Sequence, residues 1–130
     1  MSEDVVNHPK HYTTGFETKP VECIDITQHM SFCAGNAFKY IWRAGQKTIG
    51  SEGAVEDLRK ARWYLCYIIG HAIKYDEVSL AASAASAAFM FVKDDDSNRY
   101  AALRAVVRGH YYSAMNLVDA MISAIMEDNQ

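Results

Sequence analysis

Hydrophobic positions recur at helical spacing along most of this chain, and no segment alternates convincingly as a strand would. The clearest stretch is Ser31 to Lys47, SFCAGNAFKYIWRAGQK. At about 100° per residue, Ala34, Ala37, Phe38 and Ile41 share an arc that faces a core, with Trp42 on its flank and Ala44 and Gly45 near its end. Asn36, Lys39, Tyr40, Arg43 and Lys47 share another arc, and every one can donate a hydrogen bond. A second long helix is predicted from Ser51 and Ala54 through Lys74, after a TIGSEG loop at 48–53. Asp57, Lys60, Ala61, Tyr64 and Ile68 form one of its stripes, and Leu58, Leu65, Ile69 and Ile73 an adjoining apolar one. From Trp63 to Ile69 apolar and aromatic residues run nearly all round, which predicts a central helix buried on several sides or against another subunit.

The flanking segments complete the pattern. Residues 1–19 are polar and broken by Pro9 and Gly15, which predicts an extended or looping segment. Pro20 stands where a short amphipathic helix begins, VECIDITQHM, with Val21 and Ile24 turned inward and Ile26 a further candidate. Residues 78–92 hold an eight-residue Ala/Ser tract followed by Phe89, Met90 and Phe91, a helix that lets a neighbouring backbone approach closely. KDDDSN at 93–98 breaks it, and from Arg99 on Leu103, Val107, Ala114, Leu117, Val118, Met121 and Ile125 keep to one stripe, with Gly109 a candidate kink. The predicted fold is all-α: a compact helical domain of about four to five helices with an extended N-terminal segment. Residues 1–75 form a motif region, and 76–130 a C-terminal helical pair packed on the same core or used in oligomerisation.

Composition narrows the class. The 130 residues are half hydrophobic, enough for one core, and the net charge of -3 gives no reason to expect nucleic-acid binding by the whole surface. Three cysteines, Cys23, Cys33 and Cys66, show no CxxC spacing and follow no signal-peptide pattern, so a reducing cytoplasm is expected. The longest apolar run, Trp63 to Ile69, falls far short of the ~20 residues a bilayer span needs, so no membrane partner is expected.

Within that frame the polar arc of the Ser31–Lys47 helix is the candidate chemistry. Three cations and two neutral donors share it, no carboxylate lies between Ser31 and Ile49, and lysine and arginine at that density suit a ligand carrying several anionic oxygens. The plainer alternative is a solvated basic face. Glu22 and Asp25, three apart, either hold Mg2+, pair with Lys39 and Arg43, or are first-turn charges favoured by the helix dipole. In NHPKHY, residues 7–12, Pro9 stiffens a tract whose His8, His11 and Tyr12 are better suited to contact a ligand or the domain surface than to bind metal. AGQKTIG resembles the end of a phosphate-binding P-loop but fails its spacing, because Gln46 separates Gly45 from Lys47.

NHPKHY, VECID, GNAFKYIWRAGQK and EDLRKARWYL, in that order, resemble a family of short, mostly phage-encoded proteins long catalogued as of unknown function, which includes a nucleotide kinase of a T-odd coliphage. The resemblance covers about residues 7–70. It implies a nucleotide-binding phosphotransferase acting on nucleoside monophosphates in the host cytoplasm, with ATP or another nucleoside triphosphate as donor and the Mg2+ requirement open. Lys39, Arg43 and Lys47 would then hold phosphates, Asn36 and Tyr40 orient them, and His8, His11 and Tyr12 close over the ligand. Asp57 would accept a proton or fix a cation, with Lys60 and Tyr64 on the same stripe contacting the ligand. The kinase relative carries an additional region rich in cysteine and histidine that is not found here. Two alternatives keep the same platform without catalysis: a nucleotide sponge or counter-defence protein that sequesters a host nucleotide signal, and a surface that binds a host protein. A third makes the cations partners for acids of a neighbouring subunit in a homo-oligomer.

Overall fold

The computed structural model describes residues 22–46, 49–73 and 97–128. Among them are five helices and no strand: α1 Cys23–Thr27, α2 Phe32–Ala44, α3 Gly50–Gly70, α4 Ser97–Val107 and α5 Tyr111–Asp128. The predicted all-α class holds. The segment 1–19, Lys47 and the helix predicted over 78–92 lie outside the described residues.

Local chemistry accounts for most helix ends. Glu22 and Asp25 form a capping box on α1, the Asp25 carboxylate accepting from the Glu22 backbone N–H at 2.9 Å and the Glu22 side chain accepting from the backbone of Asp25. Asp25 thus stands in the first turn and Glu22 is the N-cap residue itself, a reciprocal capping arrangement in place of the pair of exposed first-turn charges expected. Cys23 and Ile26, three apart, are the buried residues of α1, whereas Ile24 is 60% exposed, contrary to the expectation that it faces inward. A five-residue helix can bury only one narrow stripe, and Cys23 occupies it.

Ser31 caps α2, its hydroxyl accepting from the Ala34 N–H at 3.3 Å. Gly45 follows the last turn, and a β-carbon there would collide with the Arg99 side chain of α4 lying across it. α3 begins at Gly50, so Gly50 to Gly53 belong to the helix and not to the predicted loop. Ser51 and Glu52 suit a first turn, where the positive end of the helix dipole favours them.

Two helices end in Schellman turns. After α3, Ala72 takes φ 50°, with bonds from Ala72 N to Ile69 O (3.2 Å) and Ile73 N to Ile68 O (3.0 Å). After α4, Gly109 takes φ 74°, with bonds from Gly109 N to Val106 O (3.0 Å) and His110 N to Ala105 O (2.8 Å). The stripe from Arg99 onward is therefore two helices and not one kinked helix. The same apolar spacing resumes after the turn, which hides the break from periodicity alone.

α2 packs on α1, α3 and α4, and α5 closes the arrangement against α3 and α4. One buried cluster runs through Phe38, Ile41, Leu58, Leu65, Leu103 and Val118, so the described residues from both halves of the chain share a core. Ala37, Ala61, Ala102 and Ala114 are fully buried in it, small enough for the helix axes to approach closely. Among the described residues no helix is long and apolar enough to cross a membrane.

Candidate functional site

The packing of α2 against α3 determines where the polar arc points. With Ala34, Ala37, Phe38, Ile41 and Trp42 buried, Asn36, Lys39, Tyr40 and Arg43 are carried to the half-exposed side of α2, where they meet the Asp57, Lys60 and Tyr64 stripe of α3. Seven of the eleven residues singled out from sequence are thus brought together. His8, His11, Tyr12 and Lys47 lie outside the described residues.

The cations are held in different ways. Asn36 donates its amide to the Phe32 carbonyl at 2.8 Å and accepts from Lys39 Nζ at 3.2 Å, so it positions the lysine along the helix surface. Lys39 Nζ then stands 4.4 Å from the centre of the Tyr40 ring, and Lys60 Nζ reaches the same ring at 5.5 Å while pairing with Glu56 at 3.3 Å. Tyr40 and Tyr64 lie nearly parallel, 6.2 Å between centroids. Two ammonium groups therefore surround one tyrosine; Lys60 pairs with the exposed Glu56, and both lysines also act on the buried Asp57 carboxylate.

Arg43 and Asp57 behave as a separate unit. Arg43 Nε is 3.2 Å from Asp57 Oδ2, close enough for an ion pair although the N–H is not aligned on that oxygen. Asp57 is 4% exposed, the one buried charged residue among those described. Burial raises its pKa above the ordinary carboxylate value, with Arg43, Lys60 and Lys39 pulling the other way. Its geometry is that of a group that holds Arg43 from inside the fold. Below the platform, burial pushes the Cys23 thiol up to about 12 against the opposing charge of Lys39, so Cys23 is a packing residue. No group of three or more His, Cys, Asp or Glu side chains gathers as a metal site among the described residues.

An aromatic ridge continues the platform along α3. Phe32 and Trp63 each meet Tyr64 edge-on, at 6.0 and 5.1 Å, and Trp63, Tyr67 and His71 stack in succession at 5.5 and 3.8 Å. Phe32 is 74% exposed and Trp63 60%. Trp63 and Tyr67 are thus on the surface of the single chain, so the collar expected to be buried on several sides or against another subunit is open along this side. Their spacing of four, continued to His71 and in line with Lys60, was the available signal that they share the platform's side of the helix.

Residues 6–66 match the family DUF3310. It is described only as a protein of unknown function. The match spans α1, α2 and α3 to Cys66, and with them every described residue of the platform, while α4 and α5 lie beyond it. No curated protein and no solved structure matches the chain.

Proposed function

We propose that this chain binds a phosphate-bearing nucleotide on the face built from Lys39, Tyr40, Lys60 and Tyr64. The observation that carries this reading is the convergence of two ammonium groups on one half-exposed tyrosine, directly beside a ridge of exposed rings. Cations at one end and aromatic surface at the other complement a molecule that is anionic at one end and flat at the other. Inorganic phosphate alone would leave the rings uncovered, and an apolar ligand would make no use of the charge on the two lysines.

The resemblance to a nucleotide kinase supplies the reaction class: phosphoryl transfer from ATP or another nucleoside triphosphate to a monophosphate, in the cytoplasm of a phage-infected host. Phosphoryl transfer asks chiefly for cations around the transferred group, which Lys39 and Lys60 offer. Asp57 enters this scheme through Arg43, because its carboxylate is buried. The sponge alternative uses the same contacts without turnover. Incubating the full chain with nucleoside mono- and triphosphates and following the products separates the two: a diphosphate appears for a kinase, and unchanged ligand is recovered from a sponge. Absence of binding to every nucleotide would overturn both.

Self-association is a second reading, favoured by Phe32, which is mostly exposed at the end of the ridge. It predicts a homo-oligomer by light scattering at micromolar concentration and a smaller species after Phe32→Asp. A wild-type monomer would refute it.

A further inference from the structure

The outer face of α3 carries an ordered run of charge. Glu52, Glu56, Arg59 and Trp63, spaced four, three and four apart, fall within an arc of about 60° on this helix, with Lys60 at its edge. All five are exposed, Trp63 by 60%. Beside them a groove of about 810 Å³ opens between α3 and the end of α5, lined also by Ser51, Val55 and Met126. Along the helix the order is two acids, two bases and then an indole. Among the described residues the ion pairs that involve α3 are Arg43–Asp57, Glu56–Lys60 and Arg62–Asp119, which use neither Glu52 nor Arg59.

We propose that this face docks on the same face of a second copy of the chain, the two α3 helices running antiparallel about a two-fold axis that passes between Glu56 and Arg59. The order of the charges selects this occupant. About that axis Glu56 of one copy meets Arg59 of the other, Glu52 lies further out beside Lys60 and Trp63 of the other, and symmetry makes each contact twice. A parallel pair in register would set acid on acid and base on base, which repels.

The same register carries Trp63 past the charged segment and onto the first turns of the second copy's α3, where Ser51, Gly53 and Val55 present only small side chains or none. A large ring thus meets a low surface, and Met126, 46% exposed at the edge of the groove, adds an adaptable apolar wall. Trp63 is already held by its edge contact with Tyr64 at 5.1 Å and its stacking on Tyr67 at 5.5 Å, so it loses little freedom on docking. Tryptophan and arginine are the residues that most often anchor such contacts. The contact goes beyond the self-association read from Phe32, because Phe32 meets Tyr64 on the α2 side of α3 and the charged run lies on the outer side.

The test is sedimentation velocity on the full chain in the Phe32→Asp background, which removes the ridge contact, with Trp63 emission followed on dilution across the micromolar range. A dimer is expected that dissociates on dilution with a red shift of the indole and that weakens as salt rises. Trp63→Ala should weaken it about tenfold or more. Glu52→Arg with Glu56→Arg should give a monomer, and so should Arg59→Glu with Lys60→Glu. Mixing these two charge-reversed proteins in equal amounts should restore a dimer containing one copy of each, a recovery that damaged folding would not produce. A Phe32→Asp protein that stays monomeric at every concentration overturns the α3 contact and leaves Phe32 as the basis of any association in wild type. A dimer that survives both charge reversals, or reversed proteins that stay monomeric when mixed, also overturns it. A dimer equally present with and without Phe32→Asp removes the ridge reading and keeps this one.

Discussion

Arg43 and Asp57 form one ion pair, yet removing either partner should cost very different amounts of stability. Arg43 Nε sits 3.2 Å from Asp57 Oδ2, with the arginine side chain 40% exposed and the aspartate 6%. Arg43→Ala strands a buried carboxyl, which must either stay charged in a poorly solvating interior or take up a proton at neutral pH. Breaking a fully buried pair in this way costs roughly 3–5 kcal/mol. Here the N–H is misaligned, and Lys60 and Lys39 still act on the carboxylate. The expected loss is therefore at or just below that range, about 2–3 kcal/mol. Asp57→Asn frees a guanidinium that already reaches water and removes a desolvation cost, so its loss should resemble that of an exposed pair, about 0–1 kcal/mol.

The pH dependence follows from the direction of the shift. Because burial raises the native pKa of Asp57, the native state keeps its proton to higher pH than the unfolded chain does. The contribution is then fully present below the ordinary carboxylate range and is lost as pH rises through the raised native value. Without Arg43 that value rises further. The gap in stability between Arg43→Ala and Asp57→Asn should therefore be widest at neutral pH and shrink on acidification. Urea unfolding of wild type, both single variants and the double variant, near neutral pH and again in the carboxylate range, reads all of this. Equal losses for the two single variants, or a gap that does not change with pH, would refute the reasoning.

Gly109→Ala should lose about 1–2 kcal/mol, because φ 74° forces a β-carbon into the left-handed region at the α4–α5 turn; an unchanged thermal midpoint would count against the Schellman geometry. Ala72→Gly should act in the opposite sense at φ 50°, gaining about 0.5–1 kcal/mol in chemical denaturation once the added freedom of glycine in the unfolded chain is subtracted. Thiol labelling of the native protein, followed by peptide mass mapping, should modify the half-buried Cys33 and Cys66 before Cys23. Early labelling of Cys23 would mean that α1 opens easily from the core.

Helical periodicity made the inner face of α2 legible: all four core positions read from Ser31–Lys47, Ala34, Ala37, Phe38 and Ile41, are buried. It also placed Asn36, Lys39, Tyr40 and Arg43 on a common side, because that is a property of one helix. Contacts between helices were less accessible. That Asp57 faces Arg43 follows from the register of α3 against α2, whereas the sequence equally allowed Glu22 and Asp25 as partners. Those two acids take part in the capping box of α1, an interaction between residues three apart that hydrophobic spacing does not reveal. The Trp63 to Ile69 collar was legible as burial on several sides or against another subunit, but that the side of Trp63 and Tyr67 is the one left open in the single chain follows only from the position of α2 and α5 around α3. Gly109 was visible as an irregularity, but its left-handed φ, which turns the chain back on itself, is not encoded in hydrophobic spacing.

The most direct test of the platform is a calorimetric titration of wild type and of a Lys39→Ala, Lys60→Ala variant with a panel of nucleoside monophosphates, at low and moderate salt. Both lysines are surface residues whose removal should leave the helical content unchanged. Wild type should bind with an affinity that falls as salt rises, and the double variant should lose roughly 3–6 kcal/mol if each ammonium group donates one charge-assisted hydrogen bond to phosphate. Binding of equal strength by the two proteins, with no dependence on salt, would contradict the account.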